Sequence, residues 1–221
     1  MSISRPSLGV GLLSVAALQP VRAGVDSPIL EEVDGLENIV PAVEAYIYSY
    51  PLVTMEMTRR VVTNVAVPGG TRAPMGQFAR MRAYPNASFR DVPAPNADTL
   101  YTTAWLDVSR EPWVLSIPDM KDRYFMFPML DAWTNVFSAP GTRTAGSNAR
   151  SYLITGPGWT GNLPSGVIEV KAPTSLVWIV GRIYCTGTPD DYAAVHDLQG
   201  AGGRRLRLLE TRLTAVAKSH A

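Results

Sequence analysis

Apolar positions along the chain fall into two textures. From Asn38 to Asn64 there is no glycine, and Val43, Ile47, Tyr50 and Thr54 recur at steps of three and four, as do Tyr46, Tyr50, Val53 and Met57. That spacing lines up one face of a helix, so the segment is expected to be helical with its aromatic side chains in a core. Pro41 suits a first turn, whereas Pro51 falls inside and removes a backbone hydrogen bond, which predicts a kink or break near Ser49. Residues 65 to 97 then mix proline, glycine and arginine without a sustained period. They are expected to form a long ordered loop, the kind of segment that often carries function.

From Thr99 onward short apolar stretches alternate with turn residues at intervals of about ten, the pattern of a sandwich or barrel. Strands are expected at Leu100–Val108, Trp113–Ile117, Tyr124–Leu130, Thr134–Ser138, Ser151–Thr155, Gly166–Val170 and Leu176–Tyr184. Prolines punctuate them, as suits a residue that cannot donate to a ladder. Thr188-Pro189-Asp190-Asp191 reads as a helix start, with a hydroxyl cap, proline in the first turn and acids at the positive end. The fold class is therefore mainly β (α+β): a β-sandwich preceded by a kinked N-terminal helix and a long loop.

Composition narrows the classes of function. With 46% hydrophobic and 18% charged residues, the 221-residue chain is expected to pack around a core. A net charge of +1 offers no broad field for nucleic acid. Cys185 is the one cysteine, which excludes an intramolecular disulfide and paired-cysteine zinc sites, and its apolar setting reads as a small buried hydrophobe. Arg5, the apolar run Leu8 to Leu18 and the ending Val21-Arg22-Ala23 have the order of a secretory signal. Residues 1–23 are expected to be removed after Ala23, giving a periplasmic or secreted protein. The apolar run is too short to cross about 30 Å of hydrocarbon, so no stable membrane insertion is expected.

Chemistry-bearing residues gather at expected strand ends: Asn96, Asp98, Thr99 and Tyr101, then Arg123, Tyr124, Asp131, Trp133, Asn135 and Arg143. Asp98 and Asp131 can pair with Arg123 and Arg143, an arrangement that keeps a carboxylate ionised and suits anchoring or locking better than proton donation. Asn96, Asp98, Tyr101, Arg123, Asp131, Trp133, Asn135 and Arg143 are the candidate ligand-binding residues. Trp105, Trp113, Trp133 and Trp159 offer stacking faces. The two histidines, His196 and His220, sit near the end of the chain and make a histidine-based triad improbable. No phosphate-cradling or dinucleotide motif occurs, so no cofactor is assigned, nor is a metal.

These motifs, in this order, resemble one family, domain of unknown function 1254. The resemblance rests on the tyrosine-rich segment from Ala45 to Pro51, on Pro95-Asn96-Ala97-Asp98-Thr99-Leu100-Tyr101, on Arg123-Tyr124, on Leu130-Asp131-Ala132-Trp133-Thr134-Asn135, on Gly141-Thr142-Arg143-Thr144, and on Tyr152 to Pro157. It covers residues 38–199. It implies an immunoglobulin-like β-sandwich and, in longer members, a second domain of the type of domain of unknown function 1214. Residues 200–221 depart from that pattern in an arginine-heavy tail, expected to be a frame-shifted end of a truncated member.

The functional expectation is an exported binding module for a small polar, sugar-like ligand, working with a second domain. Half of a hydrolase-type acid-base enzyme is the second expectation, with catalytic residues unassigned. A non-functional fragment is the third, self-associating through surface that a second domain would cover.

Overall fold

A computed structural model of the protein describes residues 36–91, 94–202 and 206–208. The chain divides into two units, 1–45 and 46–221, and helix α1 (Leu36–Thr63) begins in the first and ends in the second. The expected signal, residues 1–23, lies outside the described residues, as does most of the tail.

Helix α1 runs through Pro51 as one element, so of the kink or break expected near Ser49 the break does not occur. One lost backbone bond is carried by the turns around it. Glu56 accepts hydrogen bonds from Arg59 Nε at 2.7 Å and Arg60 Nε at 2.7 Å, pairing acid and base one turn apart. The buried face of α1 is also not the one its aromatics predicted. Met55 is buried, flanked by the half-buried Leu52, Arg59 and Val62, whereas Tyr46, Tyr50, Val53 and Met57 are exposed. At 3.6 residues per turn these two stripes lie on opposite sides of the helix. Tyr48, also exposed, meets the Trp133 ring at 4.9 Å.

The strands form two sheets. The larger has the order β1 (Phe78–Arg80), β2 (Thr99–Asp107), β9 (Leu176–Tyr184), β5 (Met129–Leu130), β6 (Val136–Ser138), with β4 (Phe125–Met126) also pairing β9. The smaller has the order β10 (Leu206–Leu208), β3 (Trp113–Ile117), β7 (Arg150–Thr155), β8 (Ile168–Lys171), and its β7–β8 pair is parallel. A short helix α2 (Thr142–Ala145) precedes β7, and α3 (Pro189–Gly202) follows β9. Thr188 Oγ1 accepts from Asp191 N at 3.4 Å at the start of α3, the capping role its position predicts.

Strands β3 and β9 coincide with their expected bounds, because each alternates or runs apolar between clear turn residues. Three expectations are corrected. Residues 65 to 97 are not all loop, since Phe78–Arg80 pairs with Ala104 to Thr102 as an edge strand. The segment from Tyr124 to Leu130 is two short strands, because Pro128 between them has no N–H to give, although its carbonyl accepts from Val180 N at 2.9 Å. The strand expected from Thr134 starts at Val136, since Thr134 has φ +69° within a turn.

Alternation along β2 and β9 sends Leu100, Ala104 and Leu106, with Val177, Ile179 and Ile183, to one face. There they share a core with Leu115, Ile117, Tyr152 and Ile154 of the smaller sheet. Cys185 is buried at the edge of this core, and its carbonyl accepts from the Tyr84 hydroxyl. One antiparallel and one mixed sheet, with flanking helices, make this an α+β domain. The other face of the large sheet is where the candidate site lies.

Candidate functional site

On that outer face, three cross-strand pairs stand side by side: Tyr101 opposite Arg182, Thr103 opposite Val180, and Trp105 opposite Trp178. Directly opposed side chains of an antiparallel pair touch. The Arg182 guanidinium lies 5.0 Å over the Tyr101 ring, and the two indoles stack with centroids 4.9 Å apart and planes 9° from parallel. Ala79 of β1 extends the row beyond Thr103. Gly181, on the opposite face of β9, lets the strand lie close, for a Cβ there would collide with the Phe127 ring and the Thr102 carbonyl.

Apart from Trp105, this row is the floor of a cavity of about 460 Å³. Val61 and Val62 of α1 wall one side, and Thr71, Phe89 and Pro95 of the segment between α1 and β2 wall the other. The volume falls in the range of small-molecule sites, and most of the lining is carbon. Three charged residues line it: Arg72, Asp91 and Arg182. Asp91 accepts from the Thr71 hydroxyl. Arg182 has no hydrogen-bonding or ionic partner among the described residues, and its Nε is buried. The buried indole N–H of Trp178 also lacks an acceptor. Both groups can only donate. Leaving such a donor unpaired away from water costs about 1–3 kcal/mol; both atoms are covered by protein and do not open onto the cavity.

The sequence candidates fall in three places. Tyr101 lines the cavity, and Asn96 stands behind it: Asn96 Nδ2 donates to the Tyr101 hydroxyl at 2.8 Å while its Oδ1 accepts from Thr99 N at 3.2 Å. Asp98 is adjacent in the chain, and its carbonyl accepts from Cys185 N at 3.0 Å.

Arg123 and Arg143 lie elsewhere. Arg123 pairs not with Asp98 or Asp131 but with Asp191 of α3, through Nη1 at 3.1 Å and Nη2 at 2.5 Å, and also donates to the Tyr184 carbonyl. Hydrogen bonding to Arg123 holds the Asp191 carboxyl well below the usual carboxylate range. Arg143 sits 5.9 Å over the Tyr124 ring. A wide surface depression surrounds Arg123, but its arginine is fully engaged. The third place is the turn between β5 and β6. Buried Asp131 accepts there from Trp133 N at 2.8 Å, Asn135 N at 2.9 Å and Asn135 Nδ2 at 3.2 Å. The structure thus brings together Asn96 and Tyr101, and separately Asp131 and Asn135.

Arg182 and Trp178 were passed over as residues of an apolar strand. The signal was present: alternation puts Trp178, Val180 and Arg182 on one face, and an arginine in the middle of such a face needs a partner. Another missed residue is Gln199 on α3, which is buried and bonds the Met81 and Tyr101 carbonyls, Thr102 Oγ1 and Arg82, tying α3 to β1 and β2. Among the described residues no three His, Cys, Asp or Glu side chains gather as metal ligands.

A family model described as "Protein of unknown function (DUF1254)" matches residues 75–201. Among solved structures, the crystal structure of the VPA0106 protein from Vibrio parahaemolyticus is similar to this chain, at 28% identity and a TM-score of 0.52. The likeness covers 68% of this chain and 34% of that one, so the chain spans about a third of its solved neighbour's length. No curated protein matches.

Proposed function

This chain belongs to DUF1254, a family of proteins of unknown function, and we propose that its domain is a binding module that holds a small molecule in the cavity over the large sheet. The observation that carries this reading is a cavity of about 460 Å³ lined mainly by carbon, with Arg72, Asp91 and Arg182 as its charged residues. A ligand with an apolar body and a polar group would satisfy both features. The lining favours a molecule more apolar than a sugar, and the Trp178 ring, backed by the stacked Trp105, gives such a body a flat surface.

Binding is favoured over acid-base catalysis because Asp91 is the single carboxylate among the lining residues, and it is engaged by Thr71. General acid and base work on a substrate calls for two groups in different protonation states. The greater length of the solved neighbour supports the view that such a domain works beside a further segment in longer relatives. Two sheets meeting in one core support an immunoglobulin-like sandwich.

Thr103 stands at the centre of the floor, and Thr103→Trp would fill the cavity. Titration with the neutral, solvatochromic dye Nile red should show saturable binding to the native chain and at least tenfold weaker binding to Thr103→Trp. Equal binding by both would place the dye elsewhere and remove the basis of this reading.

A further inference from the structure

We infer that α1 pairs, antiparallel, with α1 of a second copy of this chain, through the apolar stripe on the side of the helix opposite Met55. The 28 residues of α1 make four heptads, and one register fills both seam positions throughout. The a positions are Val40, Ile47, Thr54 and Val61, and the d positions are Leu36, Val43, Tyr50 and Met57. Of the ten described large apolar side chains that α1 exposes, nine stand at a, d or the adjoining g positions. The buried and half-buried Leu52, Met55 and Val62 fall at b and f, on the far side of the helix.

The stripe is open to solvent, with 64% of Ile47, 57% of Tyr50 and 55% of Met57 exposed. Its period says what covers it. A repeat of 3.5 residues kept over four heptads fits the seam of another helix with the same repeat, and fits neither a sheet nor a small molecule. Its area agrees. With roughly 80 Å² of each side chain open, two copies would bury about 1,400 Å² between them, the size of a specific, stable interface.

Side-chain volume and charge set the direction. Antiparallel helices place a against d. When Ile47 of one copy is level with Met57 of the other, Tyr50 lies against Thr54 and Val43 against Val61, so the largest seam residue meets the smallest. A parallel pair would set Tyr50 on Tyr50 and Thr54 on Thr54, crowding one layer and underfilling the next. The first half of α1 carries Glu37 and Glu44 and no base, whereas Arg59 and Arg60 outnumber Glu56 near its end. Reversing one helix therefore lays the acidic half along the basic half and opposes the two helix dipoles. It also brings Tyr46 of one copy beside Arg60 of the other, ring to guanidinium. Such a pair is two-fold symmetric and closes at two copies.

Sedimentation equilibrium of the full chain tests this, and should show a dimer with a dissociation constant in the micromolar range or below. Ile47→Asp should weaken it by roughly a hundredfold, because each copy then buries an unpaired carboxylate. Ala42→Asp, at an exposed c position beside the stripe, should leave it intact. Circular dichroism of both variants should match the native chain. Direction is read with introduced thiols, since Cys185 is buried. After exchange of subunits under reducing conditions and then oxidation, a mixture of Ile47→Cys and Met57→Cys should give a disulfide-linked dimer that neither variant gives alone.

A monomer at about 100 µM, where a micromolar dimer would have formed, would overturn the pairing. So would a dimer indifferent to Ile47→Asp, which would place the contact elsewhere. Links within each cysteine variant, in place of the mixed link, would show parallel helices and overturn the antiparallel arrangement.

Discussion

Asp131 shows what a polar residue in an apolar stretch can be for. It accepts two backbone N–H groups and one amide from the four residues that follow, and so closes the turn in which Thr134 takes φ +69°. A β-branched residue rarely adopts that conformation, and the carboxylate is what holds it. The letters Asp131 to Asn135 displayed the polar groups but not that they face one another. Arg123 is the opposite case: its charge was visible in the sequence, yet its partner, Asp191, lies in α3, a distance in the chain that local pattern does not bridge.

That pair makes stability depend on acid. Because the folded Asp191 carboxyl titrates below its unfolded value of about 3.9, the pair contributes fully above about pH 5, and the contribution is lost as the pH falls through 4 toward the depressed folded value. Asp191→Asn should cost about 2 kcal/mol at pH 7, a gap that narrows steadily as the pH falls below 4 and closes only below the folded value. Urea unfolding of both proteins across that range measures it. A gap that stayed constant with pH would mean that Asp191 stabilises by packing alone.

At the scale of elements, α1 carries two apolar stripes and the periodicity could not say which one docks. The stripe richest in aromatics drew attention, whereas the one around Met55 was the one buried. Amphipathic spacing identifies a helix more securely than it identifies the helix's partner. Pro51 is also better placed than its chemistry suggests, since α1 is continuous through it. It still removes the N–H that would bond Ile47. Pro51→Ala should therefore raise stability by about 1 to 2 kcal/mol, the helix penalty less the entropy that proline removes from the unfolded chain. The midpoint of urea denaturation reads this directly, and a loss of stability would show that the proline ring is needed for packing.

Strands β3 and β9 were legible to the residue because turn chemistry bounds them on both sides. Strand β1 was not, being three residues whose identity as a strand comes from Thr102 to Ala104 across from it. Pairing of that kind is a property of the tertiary structure.

For the molecule as a whole, the division of labour lies between the two faces of the large sheet. One face meets the smaller sheet in the core, and the other carries the row from Tyr101–Arg182 to Trp105–Trp178 beneath the cavity. Half of the site was legible, through Asn96 and Tyr101. The other half was hidden because β9 reads as a core strand until its two faces are assigned to different environments. The separation also explains how a cavity can coexist with a well-packed fold: it lies over the face of the large sheet that the core does not use. The central claim is that this cavity is where the protein holds its ligand, and a crystal structure of the full chain grown with saturating Nile red tests it most directly. The account predicts dye density in the cavity, over Thr103 and Val180. Density elsewhere, or none over the row, would contradict it.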